Sequence, residues 1–205
     1  LGKDDRQGRT PGGCMVSAHP MLGPHVRLHE EPERHVWRAE LGTDTHAWLA
    51  EHRIRDIAVL PGAAWCEMAL EAARVVLGEA AEVRDLRFVE ALPLDEQTAV
   101  GASTSSTATG VAEFIVESND VGVQSRPCTA VLLAAEDAPP AAYDIAALLA
   151  AHPRREEGAE VRGGLTKNGI QYGAAFSGLG ALHISDDATG SVLAEVALPG
   201  PLRSR

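Results

Sequence analysis

Trp37, Ala39 and Leu41 alternate with Val36, Arg38 and Glu40. This period of two predicts a half-buried strand over residues 35–41 with the Trp37 series facing the core. Thr43 and Asp44 are cap-type residues ahead of the short apolar group Ala47, Trp48 and Leu49, which predicts a brief helical turn before His52. Residues 54–60 read as a short buried strand. From Pro61 to Gly78 the segment is Ala-rich, opened by proline at the first helical position and stopped by glycine, so it predicts the strongest helix of the chain. Ala64, Met68, Ala72, Val75 and Val76 follow helical spacing, whereas Glu67, Glu71 and Arg74 mark a wetter side. That pattern fits a helix wrapped by a sheet, which small Ala side chains allow to approach closely.

Four further strand-like runs, at 83–94, 98–104, 110–118 and 124–133, are separated by polar or Gly-rich turns and predict a meander. Residues 136–143 are a Pro/Ala linker, residues 144–151 a short helix, and residues 169–179 with two strands around an Asp-Asp-Ala-Thr-Gly turn open a second sheet. One long helix with an antiparallel meander, then a linker and a second start, predicts an α+β protein of two related halves. The expected division is a tail or interdomain linker at 1–13, a first unit at 14–135, a linker at 136–143, and at 144–205 the start of a second unit without a counterpart of the 61–78 helix.

Composition narrows the function classes. At 205 residues and 45% hydrophobic the chain supports a sizeable core. A formal charge of −11, with no continuous basic run, argues against nucleic acid, which requires clustered Lys and Arg. No stretch has the length of a membrane span. Cys14, Cys66 and Cys128 are odd in number and widely spaced, which suits a reducing compartment, with the cytoplasm as the expectation.

His52 is the residue that suggests chemistry. It precedes an apolar run ending in Pro61-Gly62, where the long helix opens, so a base is aimed at the positive end of a helix dipole. A carbonyl held between the two is polarised by backbone N–H groups while the imidazole removes a proton from the adjacent carbon. Taken alone, a histidine before an apolar strand reads first as a half-buried structural residue. His25 and His29 flank a strand-like alternation with no Cys or Asp cluster to complete a metal site. Cys66, inside the apolar helix, reads as core filler rather than nucleophile.

Several ordered motifs resemble the dehydratase domains of polyketide synthases and animal-type fatty acid synthases. Residues 52–61 resemble the HxxxGxxxxP signature, His19-Pro-Met-Leu-Gly23 the HPLLG segment, residues 86–94 the strand after the central helix, and residues 169–176 the GYxYGPxF motif. The wording is nearest to synthases of the mycocerosic acid type, which are iterative type I synthases. The resemblance implies an α+β double hotdog, each half wrapping an antiparallel sheet around one helix, with the second hotdog incomplete in this chain. It implies removal of water from a 3-hydroxyacyl thioester on acyl carrier protein, giving the 2-enoyl thioester. His52 is then the base, the Gly62 N–H faces the thioester carbonyl at the helix start formed with Leu60 and Pro61, and Tyr172, Gly173 and Phe176 shape the acyl tunnel. No intrinsic cofactor or metal is implied; the substrate rides on phosphopantetheine, and the partners are acyl carrier protein, the other synthase domains and a second copy in a homodimer. The sequence departs from the pattern at Asp56 in place of the motif glycine, at Ala174 in place of proline and at Ile170 in place of tyrosine. Asp56 could raise the pKa of the base if close, or point to solvent. The family's acid, an aspartate in a DxxxQ or DxxxH helix start, is expected beyond residue 205, since Asp186 and Asp187 lie in a turn. A non-catalytic or truncated hotdog module for dimerisation or acyl-chain binding is the alternative, and a hotdog thioesterase a third reading.

Overall fold

The computed structural model describes residues 19–29, 31–120, 123–135, 141–187 and 190–203. The tail expected at 1–13, Cys14, and residues 136–140 of the expected linker lie outside them.

In chain order the first part contains β1 (His25–Leu28), β2 (Arg34–Leu41), a 3-10 turn (Ala47–Glu51), β3 (His52–Ile54), β4 (Ile57–Ala58), α1 (Gly62–Leu77), β5 (Ala81–Phe88), β6 (Thr98–Ala108), β7 (Val111–Asp120) and β8 (Val123–Ala134). Six of these strands form an antiparallel sheet in the order β1-β2-β6-β7-β8-β5. Its inward residues alternate as the period of two requires: Trp37, Ala39 and Leu41, then Val100 and Ala102, then Ala112, Phe114 and Val116, then Cys128, Ala130 and Leu132 are all buried. Against them α1 packs Ala64, Trp65, Met68, Ala69, Ala72 and Ala73. Four of those six are alanines, so the helix backbone lies close to the sheet it is wrapped in. This is the hotdog arrangement.

The second part contains α2 (Ile145–Ala151), β9 (Arg154–Glu157), α3 (Gly158–Lys167), β10 (Ile170–Tyr172), β11 (Leu179–Ile184) and β12 (Val192–Val196). β12-β11-β9 form a small antiparallel sheet. β10 leaves it to pair with β3, so that Tyr172 sits opposite His52 and Ile170 opposite Ile54. Asp144 caps α2 by accepting from the Ala146 and Ala147 N–H groups at 2.9 and 3.1 Å.

Five expectations are corrected. Residues 54–60 are not one buried strand but the tip and return of the β3–β4 hairpin: Arg55 and Asp56 adopt φ of 49° and 70°, Ile54 and Ile57 are exposed, and the Val59 N–H returns to the His52 carbonyl at 3.0 Å. The run predicted over 83–94 ends as a strand at Phe88, because the Leu60 N–H is donated to the Leu92 carbonyl and the Leu94 N–H to the Ala58 carbonyl. Those bonds turn the chain towards the start of α1. The meander is therefore β6-β7-β8 alone, with β5 on the outer edge of β8. Pro61 is the N-cap of α1, with φ −69° and ψ 148°, and Gly62 is its first helical residue. Cys66 and Val75 lie off the inward stripe of α1 and are exposed.

β9 and α3 are elements the hydrophobic pattern does not reveal. β9 is Arg-Arg-Glu-Glu, an edge strand without alternation, and α3 carries Gly163 and Gly164, which weaken helix propensity. α3 starts hard against β11: a Cβ at Gly158 would lie 2.0 Å from the Leu179 carbonyl oxygen. Only Gly158 of α3 is buried, so this helix is not the counterpart of α1.

Candidate active site

Local backbone geometry orients His52. The reversal at Arg55 and Asp56 brings Val59 back beside it, and His52 Nδ1 lies 2.7 Å from the Val59 carbonyl oxygen. A carbonyl only accepts, so Nδ1 carries the proton and the neutral ring keeps its lone pair on Nε2. The same hydrogen bond ties the imidazole to a residue two positions before Pro61, and hence to the mouth of α1. His52 is 9% exposed.

The predicted aromatic residues meet on that ring. Tyr172 stacks on His52 with ring centroids 5.3 Å apart, and Phe176 tilts against it at 5.3 Å. The two aromatics are 6.0 Å from each other, and Trp48 closes on Phe176 at 5.8 Å. Gly173, between them, admits no side chain, because a Cβ there would lie 2.5 Å from Glu51 Oε2 and 2.8 Å from Glu51 Cβ. Beyond Phe176 an apolar recess of about 410 Å³ is lined by Ala175, Leu179, Val196 and Leu198.

At the helix mouth, Gly62 and its neighbours carry the N–H groups that an α-helix leaves without intrahelical acceptors. The ring of Phe88, itself 56% exposed, lies over Gly62: a Cβ there would meet Phe88 Cζ at 3.3 Å. Leu60, expected among the binding residues, is buried in the core. Phe88, Trp48 and Glu51 are site neighbours the sequence reading misses. Two of them look like ordinary core residues; Glu51 had one available signal, a carboxylate immediately preceding His52.

Asp56 is exposed at the hairpin tip. Its Oδ1 accepts from Gln171 Nε2 at 2.8 Å, and its own N–H is donated to Gln171 Oε1 at 3.2 Å. Its left-handed φ of 70° explains why the motif favours glycine at this position.

A second histidine cluster lies elsewhere. His25 Nε2 and His35 Nδ1 are 2.8 Å apart, and His35 Nε2 is 3.3 Å from Glu33, which also pairs with Arg27. Burial and the neighbouring His35 hold the His25 pKa below its usual value. Glu33 titrates below the usual carboxylate range, chiefly through its hydrogen bond from Arg27. A larger cavity of about 750 Å³ is lined by His35, Arg27, Glu33 and Val76. It does not include His52, so volume alone does not mark the chemistry. Among the described residues, no three or more His, Cys, Asp or Glu side chains are grouped to hold a metal ion, and no helix is long and apolar enough to cross a membrane.

Comparison with known proteins fits this geometry. Residues 19–119 match the family model described as the polyketide synthase dehydratase domain. The phthioceranic/hydroxyphthioceranic acid synthase of Mycobacterium tuberculosis (strain ATCC 25618 / H37Rv) is 53% identical over 208 residues, which is 98% of this chain and 10% of that protein. The chain thus spans about a tenth of the length of such relatives. The solved dehydratase domain of a mycocerosic acid synthase-like polyketide synthase is 52% identical with a TM-score of 0.87, covering 92% of this chain and 67% of that one. The dehydratase domain of PpsC from Mycobacterium tuberculosis, in complex with C12:1-CoA, is 25% identical with a TM-score of 0.74, covering 91% and 66%. A shared hotdog core, motif residues gathered around one oriented imidazole, and sequence identity above one half with a solved domain give one conclusion: this chain belongs to the dehydratase-domain family of polyketide synthases.

Proposed function

We propose that this chain supplies the base-bearing half of a dehydratase that converts a 3-hydroxyacyl thioester into the 2-enoyl thioester. The observation that carries the reading is the 2.7 Å contact between His52 Nδ1 and the Val59 carbonyl oxygen, which leaves the Nε2 lone pair for the substrate.

His52 Nε2 takes the proton from the carbon alpha to the thioester carbonyl. Charge that develops on the carbonyl oxygen is met by the N–H groups at the start of α1, Gly62 first, beside the ring of Phe88. The carbon–oxygen bond at C3 breaks, the hydroxyl receives a proton and leaves as water, and the double bond forms between C2 and C3. The proton donor in this reading is the family's aspartate, expected beyond residue 205. Tyr172 and Phe176, with the apolar recess behind Phe176, give an acyl chain a wall to lie against. The C12:1-CoA bound to the PpsC domain supports an acyl thioester as the ligand class. The same kinship supports delivery of the substrate on the phosphopantetheine of acyl carrier protein and other domains of one synthase as partners; a homodimer working in the cytoplasm completes the proposal.

The test is incubation of the full-length protein with a 3-hydroxyacyl pantetheine thioester. His52→Ala is expected to slow enoyl formation by about 10²–10⁴-fold, the usual worth of a positioned base. An unchanged rate in that variant overturns the proposal, and release of free thiol instead of enoyl thioester points to a thioesterase.

A further inference from the structure

Glu51 makes contacts that none of the roles above uses. Its side-chain Oε2 accepts the Ala175 N–H at 2.8 Å, and its backbone carbonyl accepts the Gly173 N–H at 2.8 Å. Ala175 lies in the 3-10 turn Ala174–Phe176, whose N-cap, Gly173, has no side chain to satisfy the N–H groups that open the turn. A carboxylate 124 residues away in sequence takes that capping role, through a charge-assisted bond of the stronger kind. The stretch it grips joins Tyr172 to Phe176, the two rings that rest on His52 at 5.3 Å each. The fit is tight on both sides, since any side chain at Gly173 would collide with Glu51.

We propose that Glu51 is a positioning residue for the His52 site, pinning the aromatic wall of Tyr172 and Phe176 against the imidazole by accepting the Ala175 N–H. The inference rests on His52 being the base. Glu51 touches no reacting atom. It acts by fixing the backbone from which both rings project, so the acyl chain and the imidazole meet in one geometry. Misplacement by about 1 Å costs up to about 10²-fold in rate.

The experiment measures kcat and KM for dehydration of a 3-hydroxyacyl pantetheine thioester by the full-length protein and its Glu51→Ala, Glu51→Gln and His52→Ala variants. Glu51→Ala is expected to lower kcat by about 10–100-fold, with a smaller rise in KM. Glu51→Gln keeps an acceptor oxygen at the same reach and is expected to recover most of the loss, a rescue that a general fold defect does not predict. If Glu51→Ala does not fold, Glu51→Asp, one methylene shorter, takes its place with the same expected drop. Parent-like kcat in Glu51→Ala, a change confined to KM, or a Gln variant as impaired as Ala each overturns the proposal. His52→Ala separates the two readings: if it turns over like the parent, the base assignment itself fails, and if it is inactive while Glu51→Ala is parent-like, only the Glu51 role fails.

Discussion

Asp56→Gly restores the residue that the dehydratase motif carries at this position, and the structure predicts that almost nothing happens. Three effects of similar size oppose one another. Asp56 holds φ at 70°, and relieving a side chain of left-handed backbone gains about 1–2 kcal/mol. Glycine loses more freedom on folding, which costs about 0.5–1 kcal/mol. The bond from Gln171 Nε2 to Asp56 Oδ1 at 2.8 Å also goes, worth at most about 0.5–1.5 kcal/mol and less at an exposed hairpin tip. The sum lies within about 1 kcal/mol of zero, or about 2–4 °C in melting temperature for a chain of this size. Asp56→Val separates the terms, because it loses the Gln171 bond and puts a β-branched residue in the left-handed region. Its expected cost is about 2–3 kcal/mol. Urea midpoints of the three proteins give the stabilities, and enoyl formation gives the activity, which is expected to match the parent in Asp56→Gly. A tenfold change in that rate refutes the reasoning, since it means the carboxylate acts on His52 instead of on Gln171.

Two other outcomes follow from buried groups. Thr104 is 2% exposed and its hydroxyl has no hydrogen-bond partner, so Thr104→Val is expected to raise stability by about 1 kcal/mol; a lower denaturation midpoint contradicts this. Burial, and secondarily Cys66, pushes the Cys128 thiol up to about 11 from its usual 9.0. Because the fold favours the neutral thiol, its contribution is intact below pH 9 and is lost as pH rises from about 9 towards 11. In a Cys14→Ser background, a thiol reagent at pH 8 is expected to label Cys66 at once and Cys128 only in denaturant. Rapid labelling of both refutes it.

Some features were open to inspection along the chain. The α1 helix is legible because proline, alanines and a terminal glycine all report the same local preference, and β2 and β6–β8 because alternation follows from burying one face of a sheet. The motif histidine, His52, and the aromatic motif around Tyr172 and Phe176 were legible as a family resemblance. The hairpin at Arg55 and Asp56 was hidden, because the turn places two non-glycine residues in left-handed backbone. α3 was hidden by its interior glycine pair Gly163 and Gly164, and β9 by its edge position.

Residue order alone determined which segments are helix or strand wherever local periodicity was strong, and it marked His52 as the residue to watch. What the chain could not declare was the company that residue keeps. The Val59 carbonyl that fixes its tautomer, Tyr172 and Phe176 on its ring, and Glu51 beneath Gly173 are joined by contacts between residues up to 124 positions apart. Such contacts depend on backbone reversal and on β10 pairing with β3, and these are decided by the packing of the whole fold, since no local preference of either segment specifies its distant partner.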